Sequence, residues 1–320
     1  QSMYEQLIES QYGLHLRAMR KSAVGAGSDI WFLDCREGAF VLKFPAASAI
    51  NHPEAEPALC AFLRERGIPA CDFLKNIQGG YLSRAADGRM FTVQRRLPGI
   101  TPAWHTASEA LLLESARLLG QIHCALQDYP PLPEEIGAQF FEHMTPQRAA
   151  ESYRRTLTTA VERGDEQTAR ELRWRIGLMQ RLPAPCFDLT RLTLRNTHGD
   201  YFISQFLCEN GHLSAVIDWT AACVHPVIWE IMRSFTYAAP ACQEGVIDRA
   251  LLARYVEAYC RYGALNDYDL QNLEALHAYQ IAVCDYYGQY DASGADNRSI
   301  YLAQARLATR LLQGMYPDMD

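Results

Sequence analysis

Two aspartates in the second half of the chain stand where one reaction would need two different carboxylates. In NTHGDYFISQFL (196–207) and LSAVIDWTAA (213–222), Asp200 and Asp218 each leave a strand-like run, within about twenty residues of each other. Phosphoryl transfer uses such a pair, one carboxylate orienting and deprotonating the attacking hydroxyl, the other holding the magnesium that bridges the nucleotide phosphates. Magnesium takes a few hard oxygen ligands plus water, which carboxylates supply. Aspartate is also a common turn residue, so a plain β-hairpin capped by two aspartates would give the same letters.

Upstream features bear on that choice. AVGAGSDIWF (23–32) puts Gly25 and Gly27, followed by Ser28, in a loop between strands, where backbone N–H groups approach a phosphate with no Cβ in the way. Lys43 sits inside the apolar run FVLKF (40–44), where an ammonium either snorkels at a sheet edge or meets a fixed anion. Glu56 precedes a helix and is placed to pair with Lys43, with Glu54 as the rival; both also suit a first helical turn, where acids offset the helix dipole. Glycine loop, strand lysine, helix glutamate, Pro98-Gly99 linker, H-G-D and I-D-W thus follow one another in the order one mechanism demands.

The elements that must position these residues change character along the chain. The first part is punctuated by glycine and proline turns, and IWFL (30–33), FVLKF (40–44), GGYLSR (79–84) and MFTVQRRL (90–97) read as strands, the last two joined in a hairpin at Asp87-Gly88. One helix, PALCAFLRERG (57–67), interrupts them and stops at Gly67. Beyond about residue 105 a helical apolar period predicts helices at 107–127, 146–163, 166–182, 247–262, 268–290 and 298–314. The pair 146–163 and 166–182, broken only at Gly164-Asp165, predicts two antiparallel helices, the first capped by Thr145 with Pro146 at its first position. The expected architecture is α+β with two lobes: a small β-rich nucleotide-binding lobe over residues 1–97 and a larger, mainly helical lobe over 98–320 carrying the catalytic loop and the acceptor site.

Composition narrows the function classes. With 320 residues, 49% hydrophobic and 21% charged, the chain is an ordinary globular sequence large enough for two packed lobes. A formal charge of −7 argues against nucleic acid as a partner, since phosphate-backbone binders display basic stripes. The ten cysteines form no C-x-x-C pair and no zinc spacing, and read as buried thiols of a reducing compartment, hence a cytoplasmic location. No membrane-spanning run and no signal-peptide pattern is expected, and Gln1-Ser2-Met3 reads as the remnant of a cleavable tag. Nothing in the sequence speaks to the oligomeric state.

HGD (198–200) and IDW (217–219) resemble the H-G-D-x-x-x-x-N and I-D-W/F elements of the aminoglycoside phosphotransferase and choline kinase family, distant relatives of protein kinases. RRLPG (95–99) is similar to that family's interlobe linker, and LLGQIH (118–123) to its helix ending in Leu-His, so the resemblance spans nearly the whole chain. It implies a protein-kinase-like fold, ATP or GTP as phosphate donor, Mg2+ as cofactor, Asp200 as catalytic base, Asp218 as magnesium ligand and Lys43 as partner of the α- and β-phosphates. It also implies that backbone groups of Arg95 and Leu97 face the edge of the nucleotide base, and that His198 is a scaffold for its loop.

One position departs from the pattern. Where the family has asparagine as second metal-holding residue, this chain has Gln205, whose amide oxygen sits on an arm one methylene longer. It either still reaches a metal or marks weakened activity. For the acceptor, Glu230, Asp285 and Asp291 offer negative charge for a cationic molecule such as an amino sugar or a quaternary amine, with Tyr287 among tyrosines able to add cation–π contact. Tyrosines at helical spacing are more often core or helix-end residues. Two functions therefore stand: a phosphotransferase acting on a hydroxyl of a small molecule, antibiotic or metabolite, or a catalytically weak or inactive binding protein on the same fold.

Overall fold

The computed structural model describes residues 3–22, 29–45, 54–132, 138–182 and 187–319. The chain divides into two compact units, Gln1–Thr101 with Gln205–Ala221, and Pro102–Ser204 with Ala222–Asp320.

The first unit is built on an antiparallel sheet of five strands, β1 (Leu16–Lys21), β2 (Asp29–Cys35), β3 (Gly38–Phe44), β4 (Ser83–Arg84) and β5 (Met90–Arg95), in the order β1-β2-β3-β5-β4. Two helices accompany it, α1 (Met3–Tyr12) and α2 (Ala55–Glu65). Alternation along β3 sends Phe40, Leu42 and Phe44 into a core with Ile8 of α1, Leu33, Phe91 and Val93, and leaves Val41 and Lys43 on the opposite face. Helix α1 and strand β1 were not legible as elements: β1 reads LRAMRK, an edge strand whose solvent-facing charges hide the apolar alternation. The strand expected over 79–84 shrinks to β4, although its hairpin to β5 is present.

This unit continues past residue 97, where the sequence placed its end. Ile100 exchanges both backbone hydrogen bonds with Cys208, at 3.0 and 2.9 Å. Gly99, with φ +111°, lies so close to the Phe206–Val216 hairpin that a Cβ there would sit 3.0 Å from Ser214 Oγ and 3.1 Å from the backbone N and O of Cys208. Val216 N donates to Pro69 O at 2.8 Å. Pairing between segments this distant in sequence assigns 205–221 to the sheet unit, and linear composition cannot reveal it.

The second unit holds nine helices among the described residues: α3 (Glu109–Ala125), α4 (Ala138–His143), α5 (Pro146–Glu162), α6 (Glu166–Arg181), α7 (Val227–Ala238), α8 (Arg249–Tyr259), α9 (Asp267–Val283), α10 (Tyr286–Ala292) and α11 (Ala295–Met315). It also holds an antiparallel ribbon of Leu194–Thr197 with Cys223–Pro226. Helices α5 and α6 start as their residues dictate, Thr145 Oγ1 accepting from Arg148 N at 3.3 Å and Asp165 Oδ1 from Thr168 N at 3.1 Å. The helix expected over 268–290 is two, because Asp285 caps a new start by accepting from Gly288 N at 2.9 Å. Helix α7 escaped the period argument because every residue in it except Arg233 is buried, which leaves no polar stripe to mark a face. Among the described residues every cysteine is a free thiol, and no helix is long and apolar enough to cross a membrane.

Candidate functional site

The alternation of β3 puts Lys43, 4% exposed, on the face that α2 covers. Its Nζ donates to Glu56 Oε1 and Oε2 at 3.2 and 3.3 Å and to Asp218 Oδ1 at 2.8 Å. Glu56 is therefore the partner and Glu54 is not; Glu56 Oε1 also accepts from Trp219 N at 3.0 Å, tying α2 to the I-D-W segment. Burial works against the ammonium, but Glu56 and then Asp218 outweigh it and hold the Lys43 pKa above its ordinary value.

Asp218 follows directly on the hairpin. Phe206 pairs with Val216, and Ile217 N donates to Gln205 O at 2.9 Å, so Gln205 and Asp218 come to the same end of the ladder. Asp218 has φ +60°, the left-handed region that aspartate tolerates better than most residues. Its Oδ1 also accepts from Thr220 Oγ1 at 2.7 Å, and its side chain remains 41% exposed. Among the described residues no three His, Cys, Asp or Glu side chains form a cage for a metal. One exposed carboxylate with one amide fits magnesium nonetheless, because that ion commonly takes one or two protein oxygens and fills its shell with phosphates and water.

The H-G-D segment belongs to the helical unit and is held from below by α7. Glu230, 1% exposed, accepts through Oε1 from Gly199 N at 2.7 Å and Tyr201 N at 3.4 Å, and through Oε2 from His198 N at 3.3 Å and from His123 Nε2 at 2.8 Å. Burial alone would raise the Glu230 carboxyl; His123, then the nearby His225, bring it down to about 2. Gly199 has φ +82°, a turn open to glycine, and His198 Nδ1 accepts from Asp200 N at 3.2 Å, the scaffold position expected of it. The Asp200 carboxylate, 31% exposed, accepts at Oδ1 from Arg233 Nε at 2.9 Å and Nη2 at 2.7 Å. The Arg233 guanidinium is sandwiched near Phe202 and Tyr237, 4.6 and 4.9 Å from their ring centroids. A partly open carboxylate gripped on one oxygen by a fixed cation can orient a hydroxyl and receive its proton.

Gly25, Gly27 and Ser28 lie outside the described residues. Arg95 ends β5, and its N–H donates to Asp72 O at 2.8 Å, so that N–H is already engaged within the sheet unit. Leu97, half-buried, follows in the linker. The acceptor residues need correction. Glu230 is buried and its oxygens anchor the H-G-D loop, and Tyr287 is fully buried with its hydroxyl bonded to Glu171 Oε2 at 2.7 Å and near Thr309 Oγ1 at 3.0 Å. Asp285 caps α10 and accepts from Ser152 Oγ, and Asp291 pairs with Arg163 at 2.7 Å. Sequence reasoning missed Arg233 and the anchoring role of Glu230. Their signal was two charges inside the apolar run VIWEIMRSFTYAA (227–239), since a buried charge demands a partner.

A family model described as the phosphotransferase enzyme family matches residues 20–279. No curated protein matches the chain by sequence. Among solved structures, a spectinomycin phosphotransferase in complex with ADP and spectinomycin aligns over 99% of this chain and 98% of its own, at TM-score 0.64 and 14% identity. A microcompartment-associated aminopropanol kinase aligns over 99% and 98%, at TM-score 0.63 and 12% identity. An amicoumacin kinase in complex with AMP-PNP, Ca2+ and its antibiotic aligns over 96% and 92%, at TM-score 0.61 and 14% identity. At such identities the likeness speaks for the fold, a sheet unit and a helical unit of the kinase-like kind.

Proposed function

The chain belongs to the phosphotransferase enzyme family, and we propose that it moves the γ-phosphate of ATP or GTP onto a hydroxyl of a small molecule. The observation that carries this reading is Lys43, a buried ammonium whose three donors are all engaged by Glu56 and Asp218. Such a cation has two fixed carboxylates and no apolar reason to be buried, which suits a lysine waiting for phosphate better than a structural ion pair.

In this reading Lys43 takes the α- and β-phosphates, exchanging its bond to Asp218 for them. Asp218 and Gln205 would hold Mg2+, which would neutralise charge on the phosphates. Asp200 accepts the proton of the acceptor hydroxyl as its oxygen bonds to the γ-phosphorus, and the nucleoside diphosphate leaves. Arg233 keeps Asp200 aimed through two bonds to one of its oxygens, and Glu230 keeps the loop that bears it in one conformation. Positioning of this kind supplies most of the catalysis in phosphoryl transfer. The presence of the lysine, both carboxylates and the base together favours an enzyme over a degenerate binding protein. A nucleotide-consumption screen over hydroxyl compounds, with Mg2+ and with Asp200→Asn as control, tests it: acceptor-dependent consumption abolished in the variant supports the reading, and none with any acceptor counts against it.

A further inference from the structure

Among the described residues the sheet unit pairs its buried polar side chains everywhere except in one place. Its only buried side-chain nitrogen or oxygen atoms without a hydrogen-bond partner are Thr92 Oγ1 and Gln94 Oε1. Both belong to β5, two residues apart and therefore on one face of the sheet. It is the face that carries Lys43: Thr92 stands directly opposite Lys43, and Gln94 directly opposite Val41. Buried polar groups are almost always paired, so two orphans side by side mark a place where something outside the chain completes the bonding.

Backbone pairing fixes where these side chains stand. Strand β5 is bonded on both edges, to β3 and to the segment after α2, where Leu74 N donates to Val93 O and Asp72 O accepts from Arg95 N, each at 2.8 Å. One row of directly opposed residues crosses the face as Phe32, Val41, Gln94 and Phe73, and the row beside it as Ile30, Lys43 and Thr92. The rows are two strand residues apart, about 7 Å. The Lys43 row offers an ammonium beside a hydroxyl, which suits phosphate. The other has an apolar floor at Val41 that ends in a primary amide, which suits a flat heterocycle packed by its face and read at its edge. Strand β3 ends at Phe44, one residue past Lys43, so within the sheet this face extends from Lys43 toward Gln94.

We propose that Gln94 reads the base of the phosphate donor and makes the chain an ATP user: its amide oxygen accepts from the 6-amino group of adenine, with the ring packed on Val41 and the phosphates at Lys43. The proposal rests on the phosphotransferase reading and names the donor within it. An unpaired oxygen needs a hydrogen-bond donor, and adenine and guanine differ at the group that would meet it. Adenine presents an N–H there, guanine a carbonyl oxygen, which would set acceptor against acceptor. The amide nitrogen beside Oε1 adds a donor for a neighbouring ring nitrogen, the paired contact that glutamine makes with adenine. No existing bond to Oε1 has to be broken, and the terminal amide torsion of glutamine turns easily. Thr92 Oγ1, opposite Lys43, falls to the sugar and phosphate part of the same ligand.

The magnesium complexes of ATP, GTP and purine riboside triphosphate, which carries only hydrogen at position six, are each titrated against the thermal stability of the full chain. The concentration for half effect should be lowest for ATP and highest for GTP. Purine riboside triphosphate should need about five- to a hundredfold more than ATP, the cost of leaving a buried acceptor unpaired. Gln94→Met keeps the length of the side chain without its polar end, and should bring ATP and purine riboside triphosphate together. A merely structural Gln94 would weaken all three nucleotides alike in the variant, which overturns the proposal. GTP equal to or better than ATP in the wild type overturns it too, as does an ATP advantage unchanged in Gln94→Met. If that variant does not fold, the wild type decides alone, since equal binding of ATP and purine riboside triphosphate would mean that Oε1 receives no bond from the base. The two failures are distinguishable: stabilisation by magnesium nucleotides without this base preference refutes only the reading of Gln94, and stabilisation by none of them refutes the phosphotransferase reading itself.

Discussion

Lys43 Nζ lies 2.8 Å from Asp218 Oδ1, although 174 residues of chain separate them, and 3.2 Å from Glu56 Oε1. Two carboxylates face one ammonium, so the cluster carries a surplus negative charge, and Asp218 at 41% exposure is its open member while Glu56 at 10% is closed. A cation is therefore welcome at Asp218, and a phosphate that claims a lysine donor competes most easily with the same residue. Nucleotide and metal binding should accordingly be coupled through Asp218.

The first consequence is thermodynamic. A ligand that binds only the folded state adds roughly 2–3 kcal/mol at a hundredfold excess over its dissociation constant. Mg-nucleotide should raise the melting temperature of the wild type, and Lys43→Met should shrink that rise. An unchanged rise in a folded Lys43→Met protein would remove Lys43 from phosphate binding.

The two aspartates should separate by assay. Asp200→Asn is expected to leave nucleotide binding nearly intact and to lower turnover by about 10²–10⁴, the usual worth of a general base. Asp218→Asn should damage metal-dependent binding and turnover together. Metal-titrated binding of both variants checks this, and identical behaviour would make the division of roles wrong.

How far the sequence could anticipate this site depends on whether a residue announces itself by motif or by contact. Lys43, Glu56, Asp200 and Asp218 lie in short patterns whose order mirrors a mechanism, and Lys43 stands out as a charge in an apolar strand. Arg233 and Glu230 lie in α7, where neither periodicity nor motif marks them; two charges in an apolar run say only that partners are needed, and the contacts with Asp200 and the loop show which partners. The domain break failed for a similar reason. Turn chemistry marks Pro98-Gly99, but the Ile100–Cys208 bridge that carries the unit onward is long-range. Tyr287 shows the opposite ambiguity: helical spacing of aromatic residues looks the same whether they line a pocket or fill a core, and Tyr287 fills the core, the commoner meaning of that spacing, and is not an acceptor residue.

Glu230 should leave a mark on acid stability. Its carboxyl is held at about 2 in the fold against an ordinary 4.5, so as pH falls the unfolded chain takes up the proton first. The stabilisation is present in full above about 4.5 and is lost as pH falls toward 2, an effect on the order of 3 kcal/mol. Glu230→Gln should flatten this part of the acid limb. It should also cost roughly 3–5 kcal/mol at neutral pH, because His123 and the loop N–H groups lose their buried anion. Denaturant titrations at steps between pH 2 and 5 measure both. An acid limb identical to the wild type would show that the loop is anchored by something else.

The last prediction concerns Gln205. Its backbone carbonyl accepts from Ile217 N, which fixes the main chain at the end of the hairpin next to Asp218, so any adjustment for its longer side chain must come from the side chain itself. If the metal site is built around that length, Gln205→Asn withdraws the amide oxygen by about 1.5 Å, one carbon–carbon bond. Magnesium demands near-ideal octahedral geometry at about 2.0–2.1 Å. A withdrawal of that size cannot be absorbed by a longer metal–oxygen bond, and a water would have to take the vacated position. Turnover should fall and the magnesium concentration for half-maximal rate should rise, while Lys43, which bonds to Glu56 and Asp218 and not to the substituted amide, keeps its place. Steady-state nucleotide turnover against magnesium concentration for both proteins decides the matter. A wild type silent with every acceptor, beside an asparagine variant that hydrolyses nucleotide, would mean that the longer arm disables the site, and the chain would then be a binding protein built on an enzyme's fold.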